Sequence, residues 1–248
     1  MPRFLIEVPH EEEIVACARN RFRIGRSVTA GADLSARFLP RSKENDTKTK
    51  KLSRIHVTAK REKDKILLFD GDSVTPSANG ATFDGRALSI ESPLNLSKSG
   101  ELRLAEVFPI GVIPHTPEQD EIDPILNISE WNGPIHQPDL LKPGSVVFVP
   151  NVQSEIRVAV WLFTAAPFGS SKLSPLDFAQ LAGGREIAAL RYYGKCFWIE
   201  QRSPDSVAVD GLPLAPFEIA PLVTGQTLQV SGASYSIKVE DPAAEREG

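Results

Sequence analysis

Three short runs in the first half of this 248-residue chain carry side chains that could do chemistry. They are Phe22-Arg23-Ile24-Gly25-Arg26-Ser27, Ser53-Arg54-Ile55-His56 and Asn79-Gly80-Ala81-Thr82-Phe83-Asp84-Gly85. Arg26, Ser53 and Arg54 offer guanidinium forks and a hydroxyl. That is the donor set a phosphate monoester requires, because such a group brings a charge of about −1.5 to −2 and three acceptor oxygens. The local charge agrees: residues 41–65 hold ten basic and four acidic side chains in a chain whose formal net charge is −4. An acidic partner is one reading of that segment; a solvated loop beside an exposed strand face is the other.

The elements that must position these residues read as short strands. Arg21-Phe22-Arg23-Ile24, Glu101-Leu102-Arg103-Leu104 and the stretch around Tyr235, Ile237 and Val239 alternate polar and apolar residues, the period of a half-buried strand. Ile66-Leu67-Leu68-Phe69, Val146-Val147-Phe148-Val149 and Cys196-Phe197-Trp198-Ile199 are continuous apolar runs, which suits strands covered on both sides. Ser174 to Ala182 is the one helix candidate, with Ser174 as N-cap, Pro175 in the first turn and Gly183-Gly184 as the stop.

Composition is that of a globular protein, with 41% hydrophobic and 24% charged residues. Residues 1–115 hold 19 basic and 15 acidic side chains, whereas residues 116–248 hold 9 and 17, so the two halves differ in charge. Seven of the twenty prolines fall between Pro109 and Pro143, among Glu118, Asp120, Glu121 and Asp123, and interrupt strand pairing repeatedly. The expected organisation is therefore all-β: a β-sandwich over residues 1–112, a Pro-rich acidic linker over 113–139, a second β-sandwich over 140–240 and a tail over 241–248. From the charged start and the lack of a long apolar run, the expectation is a cytoplasmic chain with no membrane span. Cys17 and Cys196, far apart and without a CxxC spacing, read as ordinary buried residues, so neither a disulfide framework nor a metal site is expected.

In their order, the three runs resemble a forkhead-associated (FHA) domain. The family pattern is a Gly-Arg closing an early strand, a Ser-x-x-His starting a middle one, and an Asn-Gly with a second turn glycine five residues on. The resemblance covers roughly residues 1–112 and implies a phosphothreonine-peptide site. Ser53 and Arg54 would bind phosphate oxygens, Arg26 would brace the site or reach the phosphate, and Asn79 would hold the peptide main chain. Gly25, His56, Gly80 and Gly85 would support the site, His56 as a structural residue beneath the loops. Two departures stand out: Ala78 replaces the hydroxyl residue usual before the Asn-Gly, and the run from Asp70 to Gly80 is stretched.

The second half reads as a worn copy. Aligning Val209-Asp210-Gly211 on Phe83-Asp84-Gly85, and Ala188 to Tyr192 on Ser53 to Val57, keeps the apolar pattern and replaces every implied ligand. Asp205-Ser206 then stands for Asn79-Gly80, and Ala165-Ala166-Pro167-Phe168 falls where Gly25-Arg26 would recur. No HExxH, GxSxG, GxGxxG or Walker pattern is present, and Asp70-Gly71-Asp72-Ser73 lacks the glycine and glutamate that a calcium loop needs further on. The basic segment has no interleaved aromatics to stack on bases, which argues against nucleic acid. The expected function is a phosphothreonine-binding adaptor in Ser/Thr-kinase signalling. It has no catalysis and no cofactor, a phosphorylated protein as partner, and self-association left open. The alternative is an assembly scaffold whose FHA-like folds no longer bind phosphate, as in the cytoplasmic parts of secretion machinery.

Overall fold

A computed structural model describes residues 3–7, 13–62, 65–115, 144–163, 165–169, 186–193, 196–202, 207–230 and 233–240. The expected helix over 174–182, most of the Pro-rich linker and the tail lie outside the described residues. The chain divides into two compact units, and both interleave the sequence. The first comprises residues 19–114 and 146–159, the second residues 1–18, 115–145 and 160–248. These units cross the expected boundaries of 1–112 and 140–240. Hairpins are assigned by the sheet they complete, and chain order does not decide that.

In the first unit, a five-stranded sheet runs β4-β3-β5-β6-β9. Its strands are β3 (Arg21–Gly25), β4 (Leu34–Ser35), β5 (Val57–Glu62), β6 (Lys65–Asp70) and β9 (Leu94–Asn95). A second run of strands is ordered β8-β7-β10-β11-β12. It comprises β7 (Ala81–Phe83), β8 (Arg86–Ala87), β10 (Gly100–Leu104), β11 (Phe108–His115) and β12 (Ser145–Pro150), and β13 (Ile156–Leu162) follows β12 along the chain. Alternation does its work in β11, where Phe108, Ile110 and Val112 are buried and their neighbours half-exposed. β12 is apolar without alternation, and Val146, Val147 and Phe148 are all fully buried, as expected for a strand covered on both faces. Phe148 stacks on Phe22 of β3 with ring centroids 4.6 Å apart and planes parallel within 1°, so the two sheets of this unit meet through a residue from each segment. The lysine-rich stretch before Ser53 is a helix, α1 (Lys43–Lys50), where a loop was expected. Ser42 caps it, and Glu44 pairs with Lys48 at 2.7 Å.

The second unit has the same plan. β14 (Ala165–Gly169), β15 (Glu186–Tyr193), β16 (Cys196–Gln201) and β19 (Ile219–Leu222) form one sheet. The other is the run β18-β17-β20-β21-β1-β2. Its members are β17 (Val207–Val209), β18 (Leu212–Pro213), β20 (Thr227–Val230), β21 (Ala233–Glu240), β1 (Arg3–Glu7) and β2 (Glu13–Cys17). β1 pairs antiparallel with β21, Phe4 opposite Val239 and Ile6 opposite Ile237. The N-terminal hairpin thus completes the unit built from the C-terminal half, as β12 completes the other. Cys196 is exposed at the start of its strand, correcting the expectation that both cysteines are buried; Cys17 is.

Strand register supersedes part of the expected internal alignment. Glu62 pairs Lys65 across the β5–β6 turn, and Tyr193 pairs Cys196 across the β15–β16 turn. Val57 opposite Asp70 therefore corresponds to Ala188 opposite Gln201. The backbone agrees: Gly71 N–H donates to His56 O, and Arg202 N–H to Ile187 O, both at 2.8 Å. The counterpart of His56 is Ile187, four residues earlier than the sequence alignment placed it. Likewise Ile24 opposite Val57 corresponds to Phe168 opposite Ala188, so Gly169 follows where Gly25 stands. The alignment of the Asp-Gly turns agrees with the geometry. Asp84-Gly85 and Asp210-Gly211 each form the two-residue turn of a hairpin with positive φ at both positions, 48° and 77° against 52° and 78°. Each aspartate accepts a backbone N–H at 2.8 Å, from Glu101 and from Thr227.

Candidate functional site

The loop cluster of the first unit is built on one close backbone approach. A Cβ at Gly25 would lie 2.0 Å from the carbonyl oxygen of Arg54, so only glycine lets β3 pass the segment that leads into β5. Three backbone bonds tie the crossing together: Arg26 N–H to Ser53 O at 3.1 Å, His56 N–H to Ile24 O at 2.7 Å, and Ala36 N–H to Gly25 O at 2.8 Å. Arg26 and Ser53 are far apart in sequence and adjacent in space for this reason.

His56 braces the cluster from the buried side. Its Nδ1 accepts the Ser53 N–H at 2.9 Å, which leaves the proton on Nε2, 2.8 Å from the Gly80 carbonyl. The side chain is fully buried, and that burial pushes its pKa below the ordinary histidine value against smaller opposing effects of the Gly80 carbonyl and Asp70. One neutral imidazole thus connects the Ser53 and Gly80 loops. Gly80 and Gly85 both sit at positive φ, 68° and 77°.

The stretched run between Asp70 and Gly80 is internally pinned, and Asn79 reaches the cluster despite the extra residues. Asp70, buried at the end of β6, accepts the Ser77 N–H at 3.0 Å and its hydroxyl at 2.8 Å. Asp72 accepts the N–H groups of Val74 and Thr75, which hold its carboxyl below the usual range. Beyond that brace, Ala78 N–H donates to the Ser53 hydroxyl oxygen at 2.9 Å, and Asn79 Nδ2 donates to Lys51 O at 2.6 Å. The Ser53 Oγ is held as an acceptor, so its own proton is available to a ligand. Asp70 and Ser77 belong to the run read as stretched in the sequence, but the six residues between them give no local sign that they pair.

The two arginines complete the set. Arg54 is exposed and has no ion-pair partner among the described residues. Arg26 is half-buried, and its Nε is buried with no hydrogen-bond partner. Among the described residues no group of His, Cys, Asp and Glu is arranged to hold a metal ion. No helix among them is long and apolar enough to cross a membrane.

No protein-family model matches the chain, and no curated protein sequence does. Solved structures do. The FhaA FHA domain, solved in complex with the intracellular domain of Rv3910, is 15% identical, covering 33% of this chain and 87% of that one with a TM-score of 0.27. The yeast Dun1 FHA domain, in complex with a doubly phosphorylated peptide derived from Rad53, is 17% identical over 42% of this chain and 67% of its own, with a TM-score of 0.25. The N-terminal FHA domain of EssC, a component of the bacterial type VII secretion apparatus, is 8% identical and covers 98% of this chain and 96% of that one, with a TM-score of 0.22. These three matched structures are forkhead-associated domains, and the all-β character of this chain rests on its own strands.

Proposed function

We propose that the first unit is a phosphothreonine-peptide receptor and that the chain is an adaptor delivering phosphorylated partners, with no catalytic step of its own. The observation that carries this reading is the Ser53 hydroxyl. Its oxygen accepts the Ala78 N–H at 2.9 Å, its proton is uncommitted, and it stands on backbone bonded to Arg26 and next to Arg54. No carboxylate pairs with either arginine among the described residues. In the proposed complex, Ser53 and Arg54 donate to phosphate oxygens, Arg26 neutralises the dianion, and Asn79 binds the peptide main chain with the amide group that now holds Lys51 O. The test is calorimetric titration of the full chain with a phosphothreonine peptide library and the same library unphosphorylated. Phosphate-dependent binding supports the reading. Equal affinity for both libraries would leave the scaffold reading, in which both sandwiches serve assembly alone.

A further inference from the structure

We propose that helix α1 makes the site selective for phosphothreonine peptides carrying a further anionic side chain beside the phosphorylated residue. This rests on the phosphopeptide reading above. The helix is held firmly: Ser42 Oγ accepts the Asn45 N–H at 3.1 Å, Asn45 Nδ2 donates to the carbonyls of Leu39 and Pro40 at 3.2 and 2.9 Å, and buried Thr49 accepts the Phe38 N–H at 3.3 Å. Its last turn runs without a spacer into the cluster. Leu52 is buried with its N–H on Thr49 O at 3.0 Å, and Lys51 O is the acceptor that Asn79 binds at 2.6 Å. Lys50 and Lys51 therefore stand on fixed backbone immediately before Ser53.

Several basic side chains of residues 41–65 are exposed and paired with no acid among the described residues, Lys43 and Lys65 included, but Lys50 and Lys51 are the ones set directly before Ser53. Arg41 pairs with Glu155 at 3.2 Å, Lys48 with Glu44 at 2.7 Å, and Lys60 lies over the Phe69 ring at 4.9 Å. Lys50, Lys51 and Arg54 are exposed and paired with no acid among the described residues. The run Lys48 to Arg54 contains no acidic residue; Asp46, one turn before Lys50, is the nearest in sequence and makes no ion pair. A phosphate dianion on Ser53, Arg26 and Arg54 would leave Lys50 and Lys51 uncompensated, so a second negative group gains attraction where a neutral one gains none. The anion could be a carboxylate or a second phosphorylated residue, and their shared chemistry is negative charge within reach of α1.

The test uses the full chain, with binding of labelled peptides read by anisotropy at low and high salt. Four peptides are compared: phosphothreonine with alanine flanks, with aspartate and glutamate flanks, with a flanking phosphoserine, and the acidic peptide unphosphorylated. Each is titrated into the wild type and Lys50→Gln/Lys51→Gln, whose unchanged melting temperature verifies the fold. The acidic flanks should tighten binding about five-fold over alanine flanks at low salt, and that ratio should fall to one in the double variant and at high salt. A gain only with phosphoserine supports the inference and identifies phosphate as the second anion. Equal affinity for alanine and acidic flanks, or a gain that survives in the double variant, overturns it and leaves phosphothreonine recognition standing. Failure of every phosphorylated peptide to bind, or equal binding of the unphosphorylated acidic peptide, overturns both readings.

Discussion

The two units carry different chemistry at corresponding strand positions. Where the first has His56, with a ring nitrogen on each of two loops, the second has buried Ile187, which can pack but cannot tie loops together. Lys60 rests over the Phe69 ring in the first unit. The corresponding pair in the second is Arg191 and Glu200, an ion pair with both partners buried and with Arg202 3.1 Å from the same carboxylate. The Asp-Gly turns and hairpin register are nevertheless the same. A sandwich frame therefore tolerates exchange of a cation–π contact for a buried ion pair, provided the apolar alternation and the turn are kept. Ligand chemistry depends on a few loop residues whose loss leaves the frame intact.

Several experiments sharpen that contrast, and the largest effect concerns how each unit is completed. Truncation after residue 115 removes β12, and the first unit should then fail to give a cooperative melt. Phe148→Ala in the full chain, which removes the ring stacked on Phe22, should cost about 3–5 kcal/mol by chemical denaturation. If a chain ending at residue 115 folded and bound phosphopeptide like the full protein, the interleaved division into units would be wrong.

The contrast between buried pair and exposed contact comes next. Arg191→Leu leaves Glu200 buried with one fewer cation and should destabilise by about 3 kcal/mol. Lys60→Leu, at the matching position, should cost about 1 kcal/mol or less, since it removes only a half-buried cation–π contact. Similar costs for the two would sink the claim that the second unit has exchanged one kind of interaction for the other.

Binding should separate the units at a somewhat smaller scale. Arg26→Ala and Ser53→Ala should each weaken phosphothreonine-peptide binding by about 1.5–3 kcal/mol, the worth of a charge-assisted hydrogen bond. The double variant should retain no phosphate-dependent binding, because Ile187, which has no ring nitrogen, stands where His56 stands in the first unit. Residual phosphate-dependent affinity in that variant would assign a working site to the second unit.

The smallest effect is on pH. His56 is neutral in the folded protein with its pKa lowered by burial, so the unfolded chain takes up the proton first as pH falls through about 6.5. Protons bound preferentially by the unfolded state make stability rise with pH, and His56 therefore contributes stability above that value that is lost on acidification. Thermal melts between neutral and mildly acidic pH should show this fall in the wild type and a shallower one in His56→Gln. Parallel curves would remove His56 from the account.

Much of the frame was legible in the residues. Period-two alternation in β3, β10 and β21, the apolar run of β12 and the Asp-Gly turns all correspond to observed strands and hairpins, because side-chain alternation and φ > 0 are local requirements. The proposed donor set was chosen on residue type alone, since guanidinium, hydroxyl and amide chemistry belongs to the side chain. The tertiary structure decided what local patterns do not encode. Strand register moved the counterpart of His56 to Ile187, and sheet completion gave β1 to the C-terminal half and β12 to the N-terminal one. A strand's alternation states which face is apolar and is silent about which edge it joins. Asn79 reached the cluster for a similar reason: buried Asp70 gathers Ser77 through two hydrogen bonds across six residues, a closure that the stretched spacing put in doubt. The nearness of Arg26 to Ser53 rests on a contact of the same kind, Gly25 against the Arg54 carbonyl, where the sequence supplies the glycine and only packing of one strand across another gives it a purpose.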